Sequence, residues 1–223
     1  MVSLDFSGTL VRWPVFAHAA LVTMGLSAIA MAVGLLIGSL GASAKLSRNR
    51  VLRAIGTGYV ELFRNTPFLV QIYLIYFGLP SLGIRINPMP AGILSLSLYS
   101  GAYLTEIIRA GIQSIEPGQV EAARSLGLSP FRTFRHVVLK PSLAAVYPSL
   151  TSQFILTMLA SSIVSTISIP ELTGAANDIQ GLTFRSLEAY LVVAAIYIAM
   201  TGVFKGGFAL LGRSAFAFQI AAR

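Results

Sequence analysis

Five stretches of this chain run for sixteen residues or more without a charged side chain: 13–44, 65–84, 86–105, 141–170 and 189–204. A helix needs roughly 20 predominantly apolar residues to cross ~30 Å of hydrocarbon. Four stretches meet that length directly. The last is extended past Lys205, whose long stem can snorkel, by the apolar run Gly206–Leu211. The expected fold is an all-α membrane protein of five transmembrane helices, near 16–43, 56–80, 88–110, 142–168 and 188–211. Composition agrees: of 223 residues 55% are hydrophobic and 11% charged, a balance that a soluble domain does not present to water.

Other classes fall away in turn. Without cysteine there is no disulfide scaffold and no cysteine-based zinc or redox site. His18 and His136 are too few for a metal centre without carboxylate partners. A cleaved signal peptide ending at Ala42-Ser43-Ala44 is disfavoured, because the apolar run is too long and its start lacks a basic region. The net charge of +8 invites a nucleic-acid partner, but its placement fits membrane topology instead. Lys45, Arg48, Arg50 and Arg53 crowd the first loop, and Arg109, Arg124, Arg132, Arg135 and Lys140 the third, while the second holds Arg85 alone. The positive-inside rule then puts loops one and three and the C-terminus in the cytoplasm, with the N-terminus outside.

No repeat or long linker divides the chain, so residues 1–223 read as a single transmembrane domain. Gly34, Gly38 and Gly41 in the first span place small residues where helices pack closely in lipid, most simply within the molecule. The longest polar loop, about 112–141, has its own structure written into it. Pro117 suits a first helical turn, Gln119 through Leu126 contains strong helix formers, and Gly127 fits a C-terminal cap. Ser129 can then cap a second helix starting at Pro130, with Pro141 marking its limit or the entry into span four. Such a hairpin suits either docking to a partner, since Ala122 and Ala123 let a surface come close, or resting on anionic lipid.

Glu121-Ala122-Ala123, Gly127, Leu139 and Pro141 resemble the EAA loop of ABC importer permeases, with Lys140 shifting the final proline by one place. In that family the loop is a coupling helix seated in a groove of the cytoplasmic ATPase subunit. Four further blocks resemble the polar amino-acid branch: Glu61-Leu62-Phe63-Arg64-Asn65-Thr66-Pro67 with Gln71, Thr105-Glu106-Ile107-Ile108-Arg109-Ala110-Gly111, Ile169-Pro170-Glu171-Leu172 and Thr183-Phe184-Arg185. Together they extend over about 4–211. The branch often carries a lysine and an acidic or polar residue in span four, where this chain has Leu159-Ala160-Ser161-Ser162-Ile163. That departure would suit one half of an unequal permease pair.

The resemblance implies a type I importer permease fold at the bacterial inner membrane, with Glu121, Ala122, Ala123 and Gly127 as the coupling residues. It implies four kinds of neighbour: two cytoplasmic ABC ATPase subunits that bind ATP and Mg, a second permease subunit (identical or homologous), a periplasmic substrate-binding protein, and membrane lipid. The residues agree with that division of labour. No G-x-x-x-x-G-K-[ST] loop is present, so this chain binds no nucleotide in the P-loop manner and is a transport subunit, not an enzyme or a cofactor protein.

Polar residues inside spans are the default markers of a transport path, because lipid penalises them. Glu61, Arg64, Phe68 and Gln71 share a face of span two, with Glu61 and Arg64 spaced for an intrahelical ion pair. Ser95, Tyr99, Tyr103 and Glu106 share one on span three. Gln153, Thr157, Ser161, Ser165 and Ser168 form a stripe on span four. The pathway candidates are Gln71, Tyr99, Tyr103, Gln153, Thr157, Ser161 and Ser165. An ATP-independent secondary transporter or channel is the alternative. It would need titratable groups near the midplane, whereas the charges here lie mostly at span ends.

Overall fold

The computed structural model describes residues 4–215, and all regular structure among them is helical. In chain order the helices are α1 (Ser7–Leu10), α2 (Trp13–Leu46), α3 (Arg50–Arg64), α4 (Phe68–Ser81), α5 (Pro88–Gln113), α6 (Pro117–Ser125), α7 (Pro130–Ile167), α8 (Leu172–Thr183) and α9 (Ser186–Ala215). Four of them, α2, α5, α7 and α9, are long and apolar enough to cross a membrane.

The expected second span, 56–80, is not one helix. Pro67 has no N–H to continue the ladder and drives the residue before it out of the helical region. The chain therefore stops at Arg64 and restarts at Phe68, with Pro67 extended (φ −62°, ψ 137°). α3 then packs across its neighbours. Gly56 lies against Ala44 and Lys45, and the Tyr59 hydroxyl donates to the Leu98 carbonyl at 2.6 Å.

Of the two readings of Pro141, the structure takes the entry into span four: α7 runs through it without a break, so the second hairpin helix and the span are one helix. The turns before Pro141, Thr133–Leu139, widen into a π-helix. A proline inside a helix lacks one donor and collides with the carbonyl four residues back, and a wider turn relieves both. The same device recurs in α4, where π turns over Leu74–Gly78 precede Pro80. At its far end α7 tightens into a 3₁₀ segment, Ser161–Ile167, and stops at Ser168 in the left-handed region (φ 63°).

The central seam joins α2 to α5. A Cβ on Gly38 would sit 2.7 Å from Leu104 Cβ, and Gly34 and Gly41 meet Ser100 and Thr105 with no room for a side chain. Lipid tails are as apolar as leucine, so close van der Waals contact has to hold such helices together. The glycines of the first span thus serve packing within the chain.

Two buried clusters flank the seam. One gathers Phe16, Met158, Leu172 and Ile179, the other Leu26, Phe68, Ile72, Leu96 and Ile169. Glu171 stands between them, fully buried at the start of α8. Its carboxylate accepts from the Gly174 N–H at 2.7 Å and the Tyr197 hydroxyl at 2.9 Å. The Leu172 N–H donates to Thr23 Oγ1 at 3.0 Å. Burial pushes the Glu171 carboxyl above its ordinary range despite these donors. The block Ile169–Leu172 is therefore a joint tying α7, α8, α2 and α9 together.

Candidate functional site

At the basic end of the bundle, α6 forms a separate polar helix of nine residues. Pro117 opens it and Gly127 closes it at φ +75°, where a side chain with a Cβ is disfavoured. The Gly127 N–H donates to the Arg124 carbonyl at 2.9 Å and the Leu128 N–H to the Ala123 carbonyl at 3.1 Å. This pair of bonds is the Schellman cap, and it satisfies carbonyls that the helix end would leave open. Ser129 Oγ then accepts from the Arg132 N–H at 3.4 Å and starts α7. The local signals in the sequence set this hairpin correctly.

The structure separates the two alanines. Ala123 is buried in the hairpin, while Glu121, Ala122 and Gly127 face outward. Beside them Leu126, Phe131 and Phe134 are 83%, 69% and 47% exposed. An apolar cluster on an otherwise polar hairpin is a surface shaped for a partner. A cation and carboxylate chain stands behind it. Glu106 bridges Lys45 at the end of α2 (2.6 Å) and Arg109 (2.7 Å), and Arg109 reaches on to Gln113, four residues before α6.

The pathway candidates fall into two groups. Tyr99 and Tyr103 stand on a partly open face of α5 as the middle of an aromatic column. Tyr99 meets Phe68 at 5.0 Å and Tyr103 at 5.0 Å between ring centroids, and the Arg64 guanidinium lies 5.2 Å over the Tyr103 ring. Arg64 and Glu61 do not pair. Glu61 takes the Asn65 side-chain amide at 2.6 Å, and Arg64 is released to the ring. The break at 65–67 makes this possible, because it ends the shared face before Phe68.

Gln71, Gln153, Thr157 and Ser161 instead point into the protein. Gln71 is buried, and its Nε2 donates to the Phe63 carbonyl (2.8 Å), the Thr66 carbonyl (3.0 Å) and Thr66 Oγ1 (2.8 Å), clasping the open end of α3. Thr157 Oγ1 donates to its own helix at the Gln153 carbonyl (2.8 Å), and Ser161 Oγ to the Met158 carbonyl (2.6 Å). Gln153, Thr157 and Ser161 are all buried. From Ser161 onward the 3₁₀ pitch carries Ser165 off the stripe, and Ser168 ends exposed. Arg64 is the residue of this site whose placement sequence reasoning missed. The signal available was Pro67, which forbids a continuous helix.

Long apolar helices around a seam of small residues, with one capped hairpin at the basic end, define a multi-span membrane protein. Comparison with known proteins gives the family. Residues 30–216 match the family described as binding-protein-dependent transport system inner membrane component. The chain is 35% identical over 210 residues to the nopaline transport system permease protein NocM of Agrobacterium fabrum, a match covering 90% of this chain and 87% of that protein. It is 33% identical over 202 residues to the glutamine transport system permease protein GlnP of Escherichia coli, covering 90% and 92%. Among solved structures, one chain of an amino acid ABC transporter crystallised with histidines superposes with a TM-score of 0.88 at 38% identity, covering 96% of this chain and all of that one. A chain of the inward-facing MetNI methionine transporter, at 20% identity and a TM-score of 0.69, shares the fold. This chain belongs to the binding-protein-dependent transport system inner membrane component family and is a permease of the ABC importer type. As a class, such inner-membrane subunits work with a separate ATPase and a substrate-binding protein.

Proposed function

We propose that this permease passes a polar amino acid inward across the bacterial inner membrane, and that α6 is its coupling helix. One observation carries the second part. α6 opens on Pro117, is closed by the Schellman pair at Gly127, and presents Glu121 and Ala122 beside exposed Leu126, Phe131 and Phe134. A rigid helix with an apolar border transmits a push, which a loose loop would absorb. The amino-acid substrate is supported by the relatives, whose names specify nopaline, glutamine and amino acid transport.

In the working complex two ATPase subunits bind ATP and Mg and close on the coupling helices of this chain and of a second permease, identical or homologous. The N-terminus lies outside and α6 in the cytoplasm. Tyr99, Tyr103 and Arg64 line the passage, where ring faces and a guanidinium suit an ammonium and a carboxylate. Gln71 clasps the junction of α3 and α4 in its wall, and Gln153, Thr157, Ser161 and Ser165 lie along α7, which forms another part of that wall.

The test is reconstitution of the co-purified complex with its binding protein in liposomes, measuring ATP hydrolysis and uptake of radiolabelled amino acids, glutamine first. Uptake that requires ATP and loaded binding protein is expected. Uptake that persists without ATP would favour a secondary transporter instead.

A further inference from the structure

A cavity of about 640 Å³ opens between the end of α4 and the start of α5, at the end of the bundle opposite α6, lined by Tyr76, Phe77, Pro80, Arg85, Ile86 and Asn87. Its volume is that of a small-ligand site. Tyr76 and Phe77 belong to the π turns of α4, their rings edge to face at 4.9 Å. π turns are frequent at functional sites. Arg85 is the one charged residue in the lining, and it has no carboxylate or carbonyl partner among the described residues. Asn87 occupies the N-cap position of α5, where asparagine normally turns back to cap the helix, yet its side chain makes no capping bond. Two polar groups are thus left free beside two aromatic faces.

We infer that this cavity is the first receiving site of the pathway, a place where a zwitterionic α-amino acid binds after release from the binding protein. Arg85 takes the carboxylate through paired N–H donors, and Asn87 adds a third. The ring faces of Tyr76 and Phe77 take the ammonium. An acidic wall would repel the carboxylate, and no acidic residue lines this cavity. Tyr76 and Ile86 pack on the same buried cluster as Phe68 and Tyr99, so the floor of the site leads to the aromatic column and the second guanidinium, Arg64. The site is open and Arg85 is exposed, which keeps binding weak enough for the solute to move on.

The site rests on the importer reading, and one experiment separates the two. In liposomes holding the complete complex, hydrolysis stimulated by loaded binding protein and radiolabelled glutamine imported per ATP are measured for the wild type, Arg85→Gln and Arg85→Lys. Arg85→Gln should import about ten-fold less per ATP while stimulation persists, since the solute is released but not held. Arg85→Lys should recover part of the loss. Unchanged import per ATP in Arg85→Gln overturns the site. So does a parallel loss of stimulation and import, which would make Arg85 a contact for the binding protein. A wild-type complex that imports none of a full panel of amino acids sinks the importer reading first, and the site with it.

Discussion

Gln71 and Gln153 sit on polar stripes of similar appearance, yet their surroundings give them different work. Gln71 Nε2 makes three short hydrogen bonds across the break between α3 and α4, and its Oε1 is buried without a partner. Replacing it with leucine keeps the bulk but strips donors from the half-buried Phe63 and Thr66 carbonyls, at about 0.5–1.5 kcal/mol per hydrogen bond. Gln71→Leu should therefore lower the thermal unfolding midpoint of the detergent-solubilised complex along with its transport. Gln153 makes only a long 3.4 Å contact with Thr157 Oγ1. Gln153→Leu should leave that midpoint nearly in place. A normal midpoint in Gln71→Leu with transport alone abolished would move its amide from the wall into the passage. Arg64 belongs to the same scale. The spacing of Glu61 and Arg64 allowed an ion pair, but Asn65 competes for the carboxylate and Tyr103 for the guanidinium.

At the scale of the element, α6 and the π-widened α7 show how far local chemistry reaches. The α6 cap was legible because Gly127 and Ser129 act within a few residues of themselves. A Cβ on Gly127 would meet nothing within 4 Å, so alanine is opposed only by the left-handed backbone, at roughly 1 kcal/mol. Gly127→Ala should keep ATP hydrolysis and uptake close to the wild type. Gly127→Arg adds bulk and charge to the docking face, where a misplaced charge can cost several kcal/mol. It should insert normally yet lose either the ATPase in co-purification or the hydrolytic response to loaded binding protein. A full response in Gly127→Arg would remove α6 from the coupling role. Pro141 was harder to read. Its effect depends on whether the preceding turns can widen, and a sequence rule that proline ends helices does not include that escape.

For the whole molecule, the charge asymmetry between the two ends sets the orientation to be tested. The chain has no native cysteine, so single cysteines report without background. Introduced at Ser47 or Ser129 they should react only with reagents that reach the cytoplasm, and at Asn177 from outside. Labelling of Ser47 or Ser129 positions from outside would invert the topology and move the proposed receiving site to the wrong face. The sequence by itself determined that the chain is helical, that it spans a membrane, and that a capped hairpin stands at its basic end. Those features follow from run length, local capping and charge count, each readable within a few turns. Only the tertiary structure decided that the second run breaks at Pro67, that the span-four stripe turns inward, and that Arg64 meets Tyr103. In water, burial separates apolar from polar faces and so leaves its mark on the sequence. In lipid both the core and the surroundings are apolar, so periodicity shows which residues share a face but not what that face meets.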